Sequence, residues 1–330
     1  MKRARITGTG MDVPEKVVTN QDLEKLMDTS DEWIVERTGI KERRFVEGEI
    51  GVSDLALEAT RKALATANRT PQDLDFIIFA TLSPDYTFPG SGCVLQAKLG
   101  VPGIGALDVR TQCCGFLYSL SIADQYIKTG MYKCILVVGA EVQSTGLNLT
   151  TAGRDTAVLF GDGAGVVIVE PSEDDNRGIL STHLHADGRY AKELWAEHPG
   201  SRRSPRITHQ MVDDGSLFPY MNGREVFKHA VVRFSQAIKE TLEFSHLTPD
   251  DIKLVIPHQA NQRITEAVAQ RFGSMEKVMS NIYKYGNTTA ASIPIALDEA
   301  VREGRIHEGD LVLLVAFGSG FTWASALLRW

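Results

Sequence analysis

The sequence predicts an α/β fold made of two similar halves. Three observations predict it. Apolar, β-branched runs alternate with amphipathic stretches, glycines mark the boundaries, and two segments of the first half return in order in the second. At 330 residues the chain is too long for one small domain and suits two of roughly 150 to 170 residues, divided here as 1–170 and 171–330. Hydrophobic residues make up 43% and charged residues 23%, a globular balance that excludes a disordered or fibrous chain.

Taken in order, 74-LDFIIFATL-82 reads as a strand. A second strand-like run, 104-IGALDVR-110, leads into Cys113 and Cys114. The stretch 119-SLSIADQYIKTG-130 reads as a helix stopped by Gly130, and 134-CILVVGA-140 as the next strand. The segment 186–222, with Arg202, Arg203, Pro205 and Arg206, predicts a long surface loop of a type that is often functional. Phe227, Val231, Phe234, Ile238 and Leu242 form one apolar helix face, and 253-KLVIPH-258 reads as a strand. Alternation of this kind predicts buried, largely parallel strands.

The repeat is the sharpest signal. TPQDLDFII begins at Thr70 and TPDDIKLVI at Thr248, an offset of 178 (248 − 70). CCGFLYSLSIADQYIKTG begins at Cys113 and NTTAASIPIALDEAVREG at Asn287, an offset of 174 (287 − 113). Asp124/Asp298 and Gly130/Gly304 keep the second register. Two pairs in the same order predict a duplicated fold with a pseudo-two-fold axis. The repeat equates Cys113 with Asn287 and so predicts that they lie near one another.

A net charge of −7 argues against a broad nucleic-acid surface. The apolar runs fall far short of the ~18 residues that a membrane span needs. MKRARITGTGMDVPEK has no apolar stretch behind its basic residues. The expectation is a cytoplasmic chain with no membrane or nucleic-acid partner, its four cysteines free thiols.

Cys113 precedes an apolar helix, whose dipole favours thiolate and predicts a lowered pKa. Thiolate is the nucleophilic form. From local context alone an inert buried cysteine is the commoner case, and neighbouring Cys114 is a rival. A vicinal disulfide between the two would be strained. His258 leaves a buried strand end, where it can offer a neutral imidazole to a pocket; alone, a histidine satisfied by backbone is the plainer reading. Asn287 in 286-GNTTAAS-292 reads by itself as a helix N-cap. His183 and His185 alternate on a strand without a suitably spaced third ligand, so no metal site is expected. The stretches 161-GDGAG-165 and 318-GSGFTW-323 match no phosphate-loop pattern and are expected to turn backbone N–H groups toward a ligand.

Together, Cys113, His258 in IPHQANQRI, Asn287 in YGNTTAASIP and the terminal GSGFTWASALLRW strongly resemble the β-ketoacyl-acyl-carrier-protein synthase III family, the initiating condensing enzymes of bacterial fatty-acid synthesis. The likeness covers nearly the whole chain, including 29-TSDEWIVERTGIKERR-44. It implies a thiolase-like fold, a duplicated five-layer α-β-α-β-α architecture with pseudo-two-fold symmetry, and a homodimer. It implies an acyltransferase that condenses an acyl-CoA primer with malonyl-acyl carrier protein through an acyl-cysteine. Coenzyme A enters as substrate thioester, with no other cofactor and no metal.

By residue, the resemblance implies Cys113 as nucleophile and His258 and Asn287 as decarboxylation partners. Backbone N–H groups of Cys113 and Ser319 form its oxyanion hole. Trp33, Arg37, Arg154 and Asn261 match coenzyme A positions. Phe88 matches a residue lining the partner's acyl pocket, and Lys228 and Arg263 match positions facing the carrier protein. This chain departs at Cys114, at Arg110 and Gln112 before the nucleophile, and at GSG where GGG or GAG is common. Its loop near 190–220 is longer than in compact members and is expected to shape the acyl pocket or its entrance. These departures resemble specialised-metabolite relatives such as the alkylquinolone condensing enzymes, so the acceptor and primer stay open. The Cys, His and Asn set disfavours a silent acyl-CoA-binding subunit, and Asn287 disfavours a thiolase, which uses a second cysteine.

Overall fold

In a computed structural model describing residues 2–330, two sheets stack with helices between them and on both outer faces. The first sheet holds β1 (Ala4–Asp12), β2 (Phe76–Ala80), β3 (Gly105–Val109), β4 (Ile135–Glu141) and β5 (Gly163–Pro171), in spatial order β1-β5-β4-β2-β3. The second holds β6 (Gly178–Ala186), β7 (Leu254–Pro257), β8 (Leu311–Gly318) and β9 (Thr322–Arg329), in order β7-β8-β9-β6. The main helices are α1 (Asp31–Thr38), α2 (Val52–Ala67), α3 (Ser91–Leu99), α4 (Gly115–Lys128), α5 (Gly223–Ser245), α6 (Gln262–Phe272) and α7 (Ser292–Arg302).

The continuous apolar run of β2 follows from burial on both faces. Phe76 and Ile78 face inward, sharing one cluster with Phe116 and Leu120 of α4, Ile293 and Leu297 of α7, and Ile256 and Leu314 of the second sheet. Ile77 and Phe79 point the other way, against Leu55, Ala59 and Ala63 of α2 and Leu95 of α3. On the far side, Phe234 and Ile238 of α5 and Val268 of α6 cover Val255, Leu313 and Leu327. The layers therefore run α2/α3, first sheet, α4/α7, second sheet, α5/α6.

The strands are less parallel than the sequence predicted. β2 runs parallel to β3 and β4, and β7 to β8. β5 is antiparallel to β1 and β4, and β9 to β8 and β6. At β8 and β9 the reason is local: a short turn joins neighbours, and such a strand has to reverse.

The duplication appears at both repeated segments. Thr70 with Asp73, and Thr248 with Asp251, each form a capping box over a one-turn 3-10 helix that feeds β2 or β7. α4 and α7 each follow a 3-10 turn, Gln112–Cys114 or Thr289–Ala291. Each turn opens on a left-handed residue, Gln112 at φ 44° and Thr289 at φ 49°. This corrects the sequence alignment. The turns are offset by 177 (289 − 112), so Cys113 is equivalent to Ala290 rather than Asn287. α7 has 11 residues against 14 in α4, and that deletion restores the offset of 174 at Gly130 and Gly304.

The 186–222 segment is not plain loop. It carries a ribbon pairing Leu194–Trp195 with Tyr220–Met221 and a short helix, His209–Asp213. On α5, Phe234, Ile238 and Leu242 are buried as predicted, but Phe227 stays 40% exposed and lines a cavity instead. Among the described residues no helix is long and apolar enough to cross a membrane.

Candidate active site

β3 carries the chain to Arg110, the left-handed Gln112 bends it, and Cys113 sits in the turn that opens α4. Gly115 lets α4 start against β2, because a Cβ there would come within 2.9 Å of the Ala80 Cβ. Gly318 ends β8 against the sulfur itself: a Cβ would meet the Cys113 Cβ at 2.5 Å and Sγ at 2.8 Å. Cys113 is 6% exposed and helps line a cavity of about 660 Å³ that His258, Asn287 and Ser319 also line. The backbone N–H groups of Ser319 and of Cys113 itself lie close enough to the sulfur to favour its anion.

The predicted depression of the thiol pKa is overturned. Burial, followed by the charge of Glu141, pushes Cys113 up to about 12. A helix N-terminus offers roughly 0.3–1 kcal/mol to an anion, less than full desolvation removes. Cys114 is fully buried in the layer between the sheets, and its Sγ donates to the Thr322 carbonyl at 3.3 Å. Both thiols are free, and only Cys113 lines the cavity.

His258 continues β7, its N–H donating to the Val315 carbonyl at 2.8 Å. Burial holds its imidazole down at about 3, so the ring is neutral at working pH. Nδ1 lies 2.6 Å from Ser292 Oγ, while the buried Nε2 has no partner. Ser292 Oγ also accepts the Gln259 N–H at 3.3 Å, which leaves its own hydrogen for Nδ1. With Nδ1 assigned as the acceptor of that hydroxyl, Nε2 carries the ring hydrogen. Asn287 is not the helix N-cap that its local sequence suggested, because Thr288 holds that position. Its Oδ1 accepts the Thr289 N–H at 2.9 Å in an Asx turn, and Nδ2 remains as the donor on the cavity wall. A neutral imidazole and a carboxamide, each with its acceptor engaged elsewhere, suit an oxygen that gains negative charge.

The two glycine-rich stretches differ in use. GSG serves the site through Gly318 and Ser319. GDGAG does not present N–H groups to a ligand as expected. Gly161 donates to the Asn287 carbonyl at 3.2 Å, and a Cβ at Gly165 would come within 2.5 Å of the Ile295 backbone nitrogen. Gly165 lets α7 pack on β5.

Two residues escaped the sequence reading. Ser292 closes GNTTAAS, five places after Asn287. Glu141 ends the otherwise apolar β4 and is fully buried. A lone acid closing a buried strand was the available signal. It accepts from the Thr81 and Ser83 hydroxyls and from the N–H groups of Leu82, Ser83 and Ala290. Burial still pushes it up to about 7.

At the cavity mouth, Trp33 is flanked by the guanidinium carbons of Arg37 and Arg154, 4.5 and 4.7 Å from the ring centroid. A flat ligand on the ring has to displace one of them. Asn261 caps α6 through the Arg263 N–H and donates to the Arg37 carbonyl at 2.9 Å. Arg263 is exposed and lines the mouth, and Lys228 is exposed on α5. Phe88 stands apart, 82% exposed and off this cavity. Leu194, Trp195 and Met221 of the ribbon roof the cavity. His183 and His185 face Glu240, at 3.4 and 2.7 Å.

Comparison with known proteins agrees with this geometry. The 3-oxoacyl-[acyl-carrier-protein] synthase III family matches residues 107–188, and its C-terminal counterpart matches residues 242–330. A β-ketoacyl-[acyl-carrier-protein] synthase III from Caldanaerobacter subterraneus subsp. tengcongensis is 50% identical over 99% of this chain and 98% of its own. The 3-oxoacyl-[acyl-carrier-protein] synthase III structure from Aquifex aeolicus superposes with a TM-score of 0.91 at 46% identity, covering 99% of this chain and 100% of its own. The priming β-ketosynthase of the R1128 polyketide pathway superposes with a TM-score of 0.89 at 32% identity, covering 99% and 96%. The chain belongs to the 3-oxoacyl-[acyl-carrier-protein] synthase III family.

Proposed function

We propose that the protein is a β-ketoacyl-acyl-carrier-protein synthase III that joins an acyl-CoA primer to malonyl-acyl carrier protein. One observation carries the reading: a single cavity lined by Cys113, by His258 with a free Nε2, by Asn287 and by the N–H donor of Ser319. Cys113 sulfur, as thiolate, attacks the primer carbonyl. The C–S bond to coenzyme A breaks, and coenzyme A leaves as a thiol with the proton that sulfur gave up. The N–H groups of Cys113 and Ser319 hold the oxyanion. The malonyl thioester then loses carbon dioxide, and its electron pair becomes an enolate whose oxygen is held by His258 Nε2–H and the Asn287 amide. Enolate carbon attacks the acyl-cysteine, a carbon–carbon bond forms, and the released thiolate takes one proton from solvent to restore the thiol. The sequence balances without a redox partner, cofactor or metal.

The Trp33, Arg37 and Arg154 stack supports a nucleotide site for coenzyme A, with Asn261 beside the arm. Exposed Lys228 and Arg263 support docking of an acidic carrier protein. β3 is a sheet edge leading straight to the nucleophile, which with the outlying Phe88 supports a homodimer in which each Phe88 reaches its partner's pocket. A second reading, a specialised pathway with another acceptor, draws on Arg110 and Gln112, which line the cavity beside Cys113. The 50% identity to a carrier-protein synthase against 32% to the polyketide enzyme favours the first.

Intact-mass analysis against a panel of acyl-CoAs tests the proposal. Native protein gains one acyl group, and Cys113→Ala gains none; labelling that persists in Cys113→Ala contradicts it. Asn287→Ala still loads but loses roughly 100-fold or more in malonyl decarboxylation, the scale of removing one preorganised oxyanion donor.

A further inference from the structure

The reaction above uses the backbone N–H of Ser319 and leaves its hydroxyl idle, yet that hydroxyl is placed. Its Oγ donates to the carbonyl of Leu194. Leu194 opens the ribbon that roofs the cavity, and it pairs with Met221 on the returning strand. Packing tightens the same junction. The Tyr190 ring stacks on Phe321 at 5.2 Å, and the Asp187 N–H donates to the Phe321 carbonyl at 2.9 Å. One residue therefore offers its N–H to the nucleophilic sulfur and its hydroxyl to the roof above it.

We propose that Ser319 is a positioning residue that couples the roof over the acyl chain to the oxyanion donor, so that a primer lifting the roof also misplaces that donor. The proposal rests on the acyl-transfer reading above. An acyl group on Cys113 has to share the cavity with Leu194 and Trp195. A chain that fits leaves the roof seated and the Ser319 N–H aligned. A chain that is too bulky raises Leu194, and the hydroxyl drags the turn with it. Gly320, at φ 77°, follows Ser319 with the backbone freedom that such a turn needs to adjust. Oxyanion donors act through placement, and hydrogen bonds weaken steeply with poor geometry. Misfit then costs rate as well as binding. A glycine or alanine at this position would supply the same N–H without the link, and selectivity would rest on cavity shape alone.

The test uses full-length protein as wild type, Ser319→Ala, Ser319→Gly and Ser319→Thr, with melting curves to confirm folding. Initial rates of Cys113 acylation are measured for straight and branched acyl-CoAs of increasing length, resolved into kcat and KM. Losing the hydroxyl narrows the spread in kcat/KM between good and poor primers by roughly threefold to tenfold, the worth of one neutral hydrogen bond. The change falls mainly in kcat of the poor primers. Ser319→Thr keeps an Oγ donor and stays near wild type. Amide hydrogen exchange over 190–196 and 219–222 speeds up in the alanine and glycine variants alone. An unchanged spread in those two variants overturns the proposal. So does a threonine variant as permissive as alanine, because packing and not the hydroxyl would then set the effect. Failure of the wild type to acylate at Cys113 defeats the functional reading instead.

Discussion

A methyl group decides how β8 may approach the nucleophile. At Gly318 a Cβ would overlap both the Cβ and the Sγ of Cys113, so Gly318→Ala has to move either the strand end or the sulfur. Overpacking of this kind costs about 1–3 kcal/mol. The expected result is a folded protein whose Cys113 acylates roughly 100-fold more slowly, read by intact mass against a melting curve. Glu141 offers a second test at this scale. Its carboxyl is raised from 4.5 to about 7 by burial, so the native state favours the protonated acid. The stability it contributes is full below about pH 4.5 and is lost as pH rises through about 7. Wild type should therefore lose melting temperature between pH 5 and 8, and Glu141→Gln should flatten that slope. The variant melts lower throughout, because one of its amide ends meets N–H groups that had faced an oxygen. An equally steep slope in the variant would assign the pH dependence elsewhere.

At the scale of elements, the repeated TPxD segments show how much a short string can specify. Pro at the first helical position, Thr before it and Asp at the third build the same capped turn twice, 178 residues apart. Both caps are exposed and distant from the cavity. Thr70→Ala and Thr248→Ala should each lower stability by about 1 kcal/mol in denaturant titrations, with acylation rates unchanged. The second repeat was read less well. Aligning Cys113 with Asn287 took the register of the helix ends and carried it through a three-residue deletion. Only the paired left-handed residues, Gln112 and Thr289, reveal the true correspondence, because backbone angles do not show in residue types that favour no such angle.

For the whole molecule, β3 is one of the two edges of the first sheet and leads to the nucleophile. An exposed edge invites pairing with another chain. Light scattering on purified protein should return a dimer. A monomer at micromolar concentration with full activity would remove Phe88 from the partner's pocket.

Cys113, His258 and Asn287 were each ambiguous in their local strings; the resemblance of those strings to a known family named them together, and the fold brings all three to one cavity. The α/β class and the duplication were legible through apolar periodicity and the TP repeat. Tertiary structure decided what depends on groups far apart in the chain. It set the thiol pKa of Cys113, where burial by both sheets and the charge of Glu141 outweigh the local helix dipole. It fixed which nitrogen of His258 faces the cavity, through Ser292. It also turned a polar loop into a roof, because the Leu194 carbonyl meets a hydroxyl 125 residues further along the chain. Local sequence records which groups are available; desolvation and long-range hydrogen bonds determine the state in which each is held.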